Sequence, residues 1–311
     1  MFLQLFMPHD HSHVDEHLSD SRLVAAIALN LLLTLVEAVA GLLAGSLALL
    51  ADALHNFNDC GSLLIALIAR RVARRPSDIR RTFGYRRAEV VGALINLTIL
   101  AVVGLYLVGE GIHRLFVPAD VNGWIVVWVA AVALAVDVGT AVLLFAMSRG
   151  NLNVRAAYLH NLSDAIASVG VVLAGAAVLL WDAHWVDPVV TLAIAAYILW
   201  QSLTMMARSI HILMEGAPAD VHNETLVGEL EAIDGVIEVH HVHIWELDEH
   251  HRALEAHIVV DDTHLLRWAE IKQQIKRHLG ERFHVHHSTL EFERRGEEAC
   301  QPCPPGTRHQ C

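Results

Sequence analysis

Residues 46–62 read SLALLADALHNFNDCGS, a largely apolar stretch with metal-ligating side chains in its middle. His55 and Asp59 stand four residues apart, so on a helix both side chains lie on one face, about one turn from each other. A carboxylate at the centre of a bilayer is unfavourable by about 2.5–3.5 kcal/mol on insertion scales, so an aspartate retained there indicates a function. The stretch therefore predicts a membrane helix that carries polar ligands.

The same spacing returns in YLHNLSDAIA, residues 158–167, which contains His160 and Asp164. If the two helices cross the membrane in opposite directions and lie side by side, His55 is level with Asp164 and Asp59 with His160. Two imidazoles and two carboxylates suit tetrahedral zinc, and nitrogen and oxygen ligands also leave cobalt, cadmium and manganese open. Because these ligands bind metal only when deprotonated, exchange of metal for protons is expected. The alternative is that each pair is a hydrogen-bonded contact between helices.

Composition separates a membrane part from a soluble part. The 311 residues are 54% hydrophobic and 18% charged, with a mean hydropathy of +0.43. These values predict a polytopic membrane protein, and the net charge of −12 argues against a nucleic-acid partner. We expect four regions: a His-rich cytoplasmic tail (1–21), a transport domain (22–213), a cytoplasmic α/β domain (214–293) and a Cys-containing tail (294–311).

Six apolar segments are long enough to span a bilayer, at residues 22–43, 46–69, 88–115, 122–147, 156–181 and 188–213. The loop between the second and third segments is rich in arginine, whereas the loops at 116–123 and 182–187 contain no Lys or Arg. The positive-inside rule then places both chain termini in the cytoplasm. The short loops favour a bacterial inner membrane.

The region after residue 215 has the pattern of a small two-layer domain. Helices are predicted at 223–233 and 265–279, and strands at 236–247, 253–260 and 285–293. The order helix, strand, strand, helix, strand predicts one sheet covered by two helices.

The motifs together resemble the cation diffusion facilitator family, in the zinc-transporting branch that has HxxxD in spans two and five. The resemblance is carried by SLALLADALHNFND from Ser46, TFGYRRAEVVGALIN from Thr82, AAYLHNLSDAIASVGV from Ala156, WVDPVVTLAIAAYI from Trp185, VHHVHIWEL from Val239 and HHSTLEFE from His286. It implies a homodimer of six-span protomers that exports Zn²⁺ in exchange for protons by alternating access, with a ferredoxin-like cytoplasmic domain. It also implies a transporter and not an enzyme.

The resemblance further implies that His240, His257 and His287 bind a regulatory Zn²⁺ in the cytoplasmic domain, at the dimer interface. From the residues alone, these histidines lie on three predicted strands. They either come together as one metal site across the sheet or are ordinary surface histidines. Some relatives have another metal site between spans two and three. That loop has Asp78 but no histidine in this chain, so we expect no such site.

Three other features are candidates. Cys300 and Cys303 have zinc-knuckle spacing, and either bind metal or form an inert tail. Asp137, in the middle of the fourth span, either lies on a proton path or bonds a neighbouring helix. Arg87 and Glu215 either form an ion pair that braces the soluble domain or are solvated separately.

Two other functions fit part of the sequence pattern. A membrane-embedded metalloenzyme is disfavoured because the chain has no HExxH motif and four protein ligands leave a metal no open position. A membrane-anchored metal sensor would not need matched ligand pairs on two spans. Both readings rank below a zinc/proton antiporter.

Overall fold

The computed structural model describes residues 20–147, 152–261 and 267–294. Residues 1–19 of the His-rich tail and the segment from residue 295 onward, with Cys300 and Cys303, lie outside the described residues. The chain forms two compact units. One contains residues up to Ala69 together with Gly92–Ala207, and the other contains Arg70–Val91 together with the chain from Arg208 onward.

Six long helices precede the soluble module. They are α1 Asp20–Ala44, α2 Leu47–Ala73, α3 Ala88–Phe116, α4 Gly123–Met147, α5 Leu152–Trp181 and α6 Val186–Leu213. They match the six predicted segments, except that α2 continues four residues beyond its apolar run and α5 begins four residues before its own. The extra turn of α2 contains Arg70 and Arg71, whose charges are favourable at the negative end of a helix dipole.

By length and composition, four helices in the described part of the chain suit a membrane span: Ala88–Phe116, Gly123–Phe145, Tyr158–Trp181 and Val186–Leu213. A shorter apolar stretch, Leu31–Ala44, lies in α1. The second helix is less apolar because Asp52, His55 and Asp59 occupy its middle.

Helices α4 and α5 pack closely along most of their length. A Cβ atom on Gly123 would lie 2.7 Å from the carbonyl oxygen of Gly175, so only glycine permits this approach. Small residues at such contacts let membrane helices come together where the hydrophobic effect does not drive association. This packing brings α4 next to the helix that carries His160 and Asp164.

A tight turn joins α1 to α2. Gly45 has a φ of +69°, and a Cβ there would lie 2.5 Å from the carbonyl oxygen of Asp120. Ser46 follows as the N-cap of α2, with its Oγ accepting a bond of 3.1 Å from the backbone N–H of Leu49. The start of α2 is therefore fixed, and with it the height of His55 in the bundle.

The soluble unit has the predicted order of elements: α7 Asn223–Glu231, β1 Val236–Glu246, β2 Arg252–Val260, α8 Trp268–Phe283 and β3 Val285–Arg294. Strand β2 is central, antiparallel to β1 and parallel to β3. Buried residues of both helices and all three strands share one core, which includes Leu226, Ile244, Leu254, Ile271 and Ile275. The fold class predicted from the sequence, a helical membrane domain with a C-terminal α/β domain, is confirmed.

Candidate functional site

The two HxxxD motifs meet where α2 and α5 face each other. Nε2 of His55 lies 3.5 Å from Oδ1 of Asp164 and 3.8 Å from Oδ2 of Asp59. Nε2 of His160 lies 3.3 Å from Oδ2 of Asp59 and 3.6 Å from Oδ2 of Asp164. Each imidazole is closer to the carboxylate of the other helix, as expected for antiparallel helices. We call these four residues the membrane cluster.

The spacing of the membrane cluster suits a small divalent cation. With metal–ligand bonds of about 2.0–2.1 Å, two ligand atoms on a tetrahedron lie about 3.3 Å apart. The four imidazole–carboxylate distances of 3.3, 3.5, 3.6 and 3.8 Å are close to that value, with Asp164 offering Oδ1 to His55 and Oδ2 to His160. One ligand atom from each of His55, Asp59 and Asp164 lies within 4.8 Å of the others.

The membrane cluster is buried on one side and accessible on the other. The side chains of His55 and Asp164 are 7% and 11% exposed, whereas those of His160 and Asp59 are 45% and 30% exposed. Buried ligands keep a fixed geometry, and accessible ones let an ion or a proton enter and leave. The arrangement therefore combines two buried ligands with two whose side chains are only partly covered by the rest of the chain.

A second polar group lies beside the membrane cluster and includes the predicted Asp137. The Ser168 hydroxyl is 3.1 Å from Oδ2 of Asp52 and 3.1 Å from Oδ2 of Asp137. Asp137 thus contacts a neighbouring helix, the alternative left open by the sequence. Asp52 and Ser168 were not predicted from the sequence, although Asp52 is part of the first HxxxD stretch, three residues before His55.

The soluble domain contains a second cluster of possible ligands, made of His240, His257 and Glu293. Glu293 contacts both imidazoles: Oε1 lies 2.7 Å from Nδ1 of His257, and Oε2 lies 3.4 Å from Nε2 of His240. Glu291 is close as well, with Oε2 at 3.4 Å from Nε2 of His257. We call His240, His257 and Glu293 the cytoplasmic cluster.

Strand pairing builds the cytoplasmic cluster. His240 on β1 pairs with His257 on β2, and His257 pairs with Glu291 on β3. A bulge after His240 gives His241 a φ of +51°. The His241 ring then lies 4.7 Å from that of His257, and burial, followed by the charges of His257 and His243, lowers the pKa of His241. A lowered pKa favours the neutral imidazole, the form that binds metal.

His287 does not belong to this cluster in the structure. It pairs with Ala253, and its ring lies 5.2 Å from that of Phe83. Glu293 is the third member of the cluster, and the role of His287 as a ligand stays a prediction. Glu293 was not predicted from the sequence, although alternation in LEFE of β3 places it on the same strand face as Glu291.

The predicted pair of Arg87 and Glu215 forms an ion pair. Nη2 of Arg87 is 3.2 Å from Oε1 of Glu215, and the two side chains are 36% and 64% exposed. In the same loop Asp78 accepts bonds from the Tyr85 hydroxyl and the backbone N–H groups of Arg80 and Arg81. This pattern shapes the loop and uses most of the capacity of the Asp78 carboxylate.

Models of two protein families match successive parts of the chain. Residues 23–214 match the description "Cation efflux transmembrane domain". Residues 218–295 match "Cation efflux protein, cytoplasmic domain". The boundary between the two matches falls just after α6, where the soluble unit begins.

Curated relatives match nearly the whole chain. It is 35% identical over 305 residues to "Zinc transporter ZitB" of Escherichia coli, which covers 96% of this chain and 94% of that protein. It is 34% identical over 284 residues to "Metal cation efflux system protein CzcD" of Cupriavidus metallidurans, covering 91% and 89%. It is 32% identical over 290 residues to "Cadmium, cobalt and zinc/H(+)-K(+) antiporter" of Bacillus velezensis, covering 92% of each.

The matches agree with the resemblance drawn from the HxxxD motifs and with the order of six long helices followed by an α/β module. The predicted family is confirmed, and it is a family of transporters and not of enzymes. This chain belongs to the cation efflux family, also called the cation diffusion facilitator family, and is a multi-pass membrane transporter of metal cations.

Proposed function

We propose that this protein exports Zn²⁺ from the cytoplasm in exchange for protons, with the membrane cluster as the transport site. The single observation that carries the proposal is the cross-pairing of His55 with Asp164 and of His160 with Asp59, at 3.5 and 3.3 Å. Two neutral imidazoles and two carboxylates neutralise a divalent ion, and each ligand becomes a proton site when the ion leaves. Metal and protons therefore compete for the same four side chains.

The metal preference follows from the ligand types. Two nitrogens and two carboxylate oxygens suit zinc, and also cobalt and cadmium, better than the harder magnesium or calcium ions. The names of the relatives include zinc, cadmium and cobalt. We infer that zinc is the main substrate and that cobalt and cadmium are carried as well.

The working form is inferred to be a homodimer in a bacterial inner membrane, with both termini in the cytoplasm. The orientation rests on the arginines in the last turn of α2 and in the loop that follows it, including Arg70, Arg71, Arg74 and Arg75. The cytoplasmic cluster would bind a regulatory Zn²⁺ through His240, His257 and Glu293. It is partly open at His240, whose side chain is 19% exposed, so cytoplasmic zinc has access to it.

The test is zinc flux in liposomes that contain a zinc-sensitive dye and have a lumen more acidic than the outside. Wild type is expected to accumulate zinc until a protonophore collapses the gradient. Asp59→Ala and His160→Ala should abolish this flux. Matched controls are Asp120→Ala and His113→Ala, which remove exposed side chains of the same kinds in the membrane unit and should transport normally.

Zinc bound by wild type with no flux under any gradient would overturn the proposal and favour a membrane-anchored sensor. Normal flux in Asp59→Ala would show that the ion takes another route.

A further inference from the structure

Three helices each contribute one residue to a polar group beside the membrane cluster. Asp52 of α2 is 1% exposed and Ser168 of α5 is 0% exposed, while Asp137 of α4 is half-buried. The Ser168 hydroxyl stands between the two carboxyl groups, 3.1 Å from Oδ2 of each. We call these residues the serine bridge.

The two contacts of the Ser168 hydroxyl need two hydrogens, and the hydroxyl itself has only one. A serine hydroxyl has one hydrogen and donates one bond, so it satisfies only one of its two carboxyl neighbours. If both carboxyls were ionised, the second contact would place lone pairs of two oxygens opposite each other in a buried site, which is strongly unfavourable. A proton on Asp52 or Asp137, donated to Oγ of Ser168, removes that conflict.

Buried oxygens without a hydrogen-bond partner near the serine bridge also favour a bound proton. Oδ1 of Asp52 and Oε1 of Glu37 are buried and, within the described residues, have no hydrogen-bond partner. Glu37 is 0% exposed, and its other oxygen accepts a bond of 3.3 Å from Nδ2 of Asn56. A buried carboxylate with a free oxygen is unfavourable, so this region favours bound protons.

The serine bridge lies one helical turn from the membrane cluster. Asp52 precedes His55 by three residues, and Ser168 follows Asp164 by four, which corresponds to a rise of about 4.5–6 Å along each helix. Since α2 and α5 run in opposite directions, both steps lead to the same side of the cluster. The titratable groups in electrostatic reach of the bridge are Glu37 of α1, His55 of α2, and His160 and Asp164 of α5.

We propose that the serine bridge is a separate proton-binding site, which holds one shared proton and releases it when a divalent cation fills the membrane cluster. The inference rests on the proposed transport site being the membrane cluster. A divalent cation that displaces at most one proton from the four ligands leaves the cluster more positive than before, and this charge one turn away repels the shared proton. The proton of Asp52 passes to Oγ of Ser168 while the hydroxyl proton passes to Asp137. Asp137 then releases a proton to water, and the two carboxylates that remain face the bound cation.

The test counts protons released when Zn²⁺ binds to the purified full-length protein in weakly buffered detergent solution, without any gradient. Asp137→Asn is expected to bind zinc and to release about one proton fewer per protomer than wild type, because the amide N–H₂ replaces the acid as donor to Ser168. Protons released by the cytoplasmic cluster are the same in both proteins and cancel in the difference.

A double variant separates one shared proton from two independent ones. Asp52→Asn should lower the count by the same amount as Asp137→Asn, and the double variant should lower it no further. The matched control is Ser202→Ala, which removes a hydroxyl that is also 0% exposed but bonds the carbonyl of Leu199. It should release the wild-type number. If Asp52→Asn fails to fold, the proton count of Asp137→Asn alone tests the proposal, because Asp137 is only half-buried.

An infrared difference spectrum gives an independent readout. Zinc binding should remove a carboxylic-acid C=O band in wild type, and that band should be missing from both single variants. Equal proton counts in wild type and Asp137→Asn, or additive losses in the double variant, would overturn the proposal. This outcome is distinct from failure of the proposed function, because proton release on binding is measured without transport and the Asp59→Ala flux assay tests the transport site.

Discussion

The backbone N–H of Leu47, the first residue of α2, donates a hydrogen bond of 2.8 Å to Oδ2 of Asp187, near the start of α6. The other oxygen of Asp187 accepts bonds from the Ser46 hydroxyl and the N–H of Ala48. The first N–H groups of a helix have no partner within the helix, and a carboxylate there is also favoured by the helix dipole. Asp187 therefore anchors the helix that carries His55 and Asp59.

Replacing Asp187 with alanine should destabilise the protein by about 0.5–2 kcal/mol, the range for loss of a side chain that caps the first N–H groups of a helix. Zinc flux should fall as well, because α2 would no longer be held at a fixed height. Thermal unfolding in detergent measures the first effect and the liposome assay the second. Asp120→Ala is the control, since that side chain is exposed; an equal loss in both variants would contradict the anchoring role.

Glu293→Gln should prevent the cytoplasmic cluster from holding its proposed Zn²⁺, while zinc flux through the membrane cluster stays measurable. Loss of a group that only orients a ligand lowers metal affinity about 10–100-fold, so loss of a ligand should lower it at least as much. The measurement is zinc bound per protomer of full-length protein at limiting free zinc. His287→Ala should bind as wild type does, because His287 contacts Phe83. The reverse result would restore His287 to the ligand set.

Two ion pairs of the soluble unit should differ in their effect on stability. Arg208 bonds Glu246 at 2.7 Å, and the Glu246 side chain is only 4% exposed. Arg208→Ala would leave a buried carboxylate unpaired and should lower the free energy of unfolding by about 1–3 kcal/mol. Arg87→Ala breaks a pair that is 36% and 64% exposed and should change it by about 0–1 kcal/mol. Thermal unfolding of both variants measures whether Arg208→Ala is the more destabilising. The same variant should remain the more destabilising at high salt.

The loop around Asp78 should lose order in acid. The pKa of Asp78 lies below its ordinary value of 3.8, mainly because the Tyr85 hydroxyl donates to it. A group with a lowered folded-state pKa stabilises the fold above its unfolded pKa, and this contribution disappears as pH falls through the lower, folded value. Hydrogen exchange of residues 78–85, corrected for intrinsic rates, should be constant from neutral pH to about 4 and rise below it.

Removing the Tyr85 donor should make that loop more sensitive to acid. In Tyr85→Phe the pKa of Asp78 returns towards its ordinary value, so protection should be lost at a higher pH than in wild type. Tyr106→Phe removes a hydroxyl from an exposed tyrosine of α3 and should have no effect on the loop. Identical pH profiles for Tyr85→Phe and wild type would show that the hydroxyl does not hold the carboxylate.

The sequence by itself determined the six long helices, the two HxxxD motifs and the order of elements in the soluble domain. These features depend on local rules: the length of an apolar run, the four-residue spacing that aligns His55 with Asp59 on a helix, and the alternation of strand residues. The cross-pairing of His55 with Asp164 also followed, since helices that cross in opposite directions reverse the order of their ligands.

Strand register was decided only by the tertiary structure. His287 and Glu293 have the same parity on β3, so alternation assigns both to one face of the sheet. The parallel pairing of β2 with β3 places Glu291 opposite His257, and His287 lies four residues earlier, about 13 Å along the strand. Local sequence pattern fixes the face of a residue but not its position opposite another strand.

Helix neighbours were likewise decided by the tertiary structure. Nothing local to Asp52, Asp137 or Ser168 indicates that they meet, because they come from three helices whose mutual packing depends on close contacts such as that between Gly123 and Gly175. The sequence indicated that each of them lies within the membrane, because each is part of an apolar segment long enough to span it. Their convergence required the fit of whole helix surfaces, a property of the folded bundle and of no single segment.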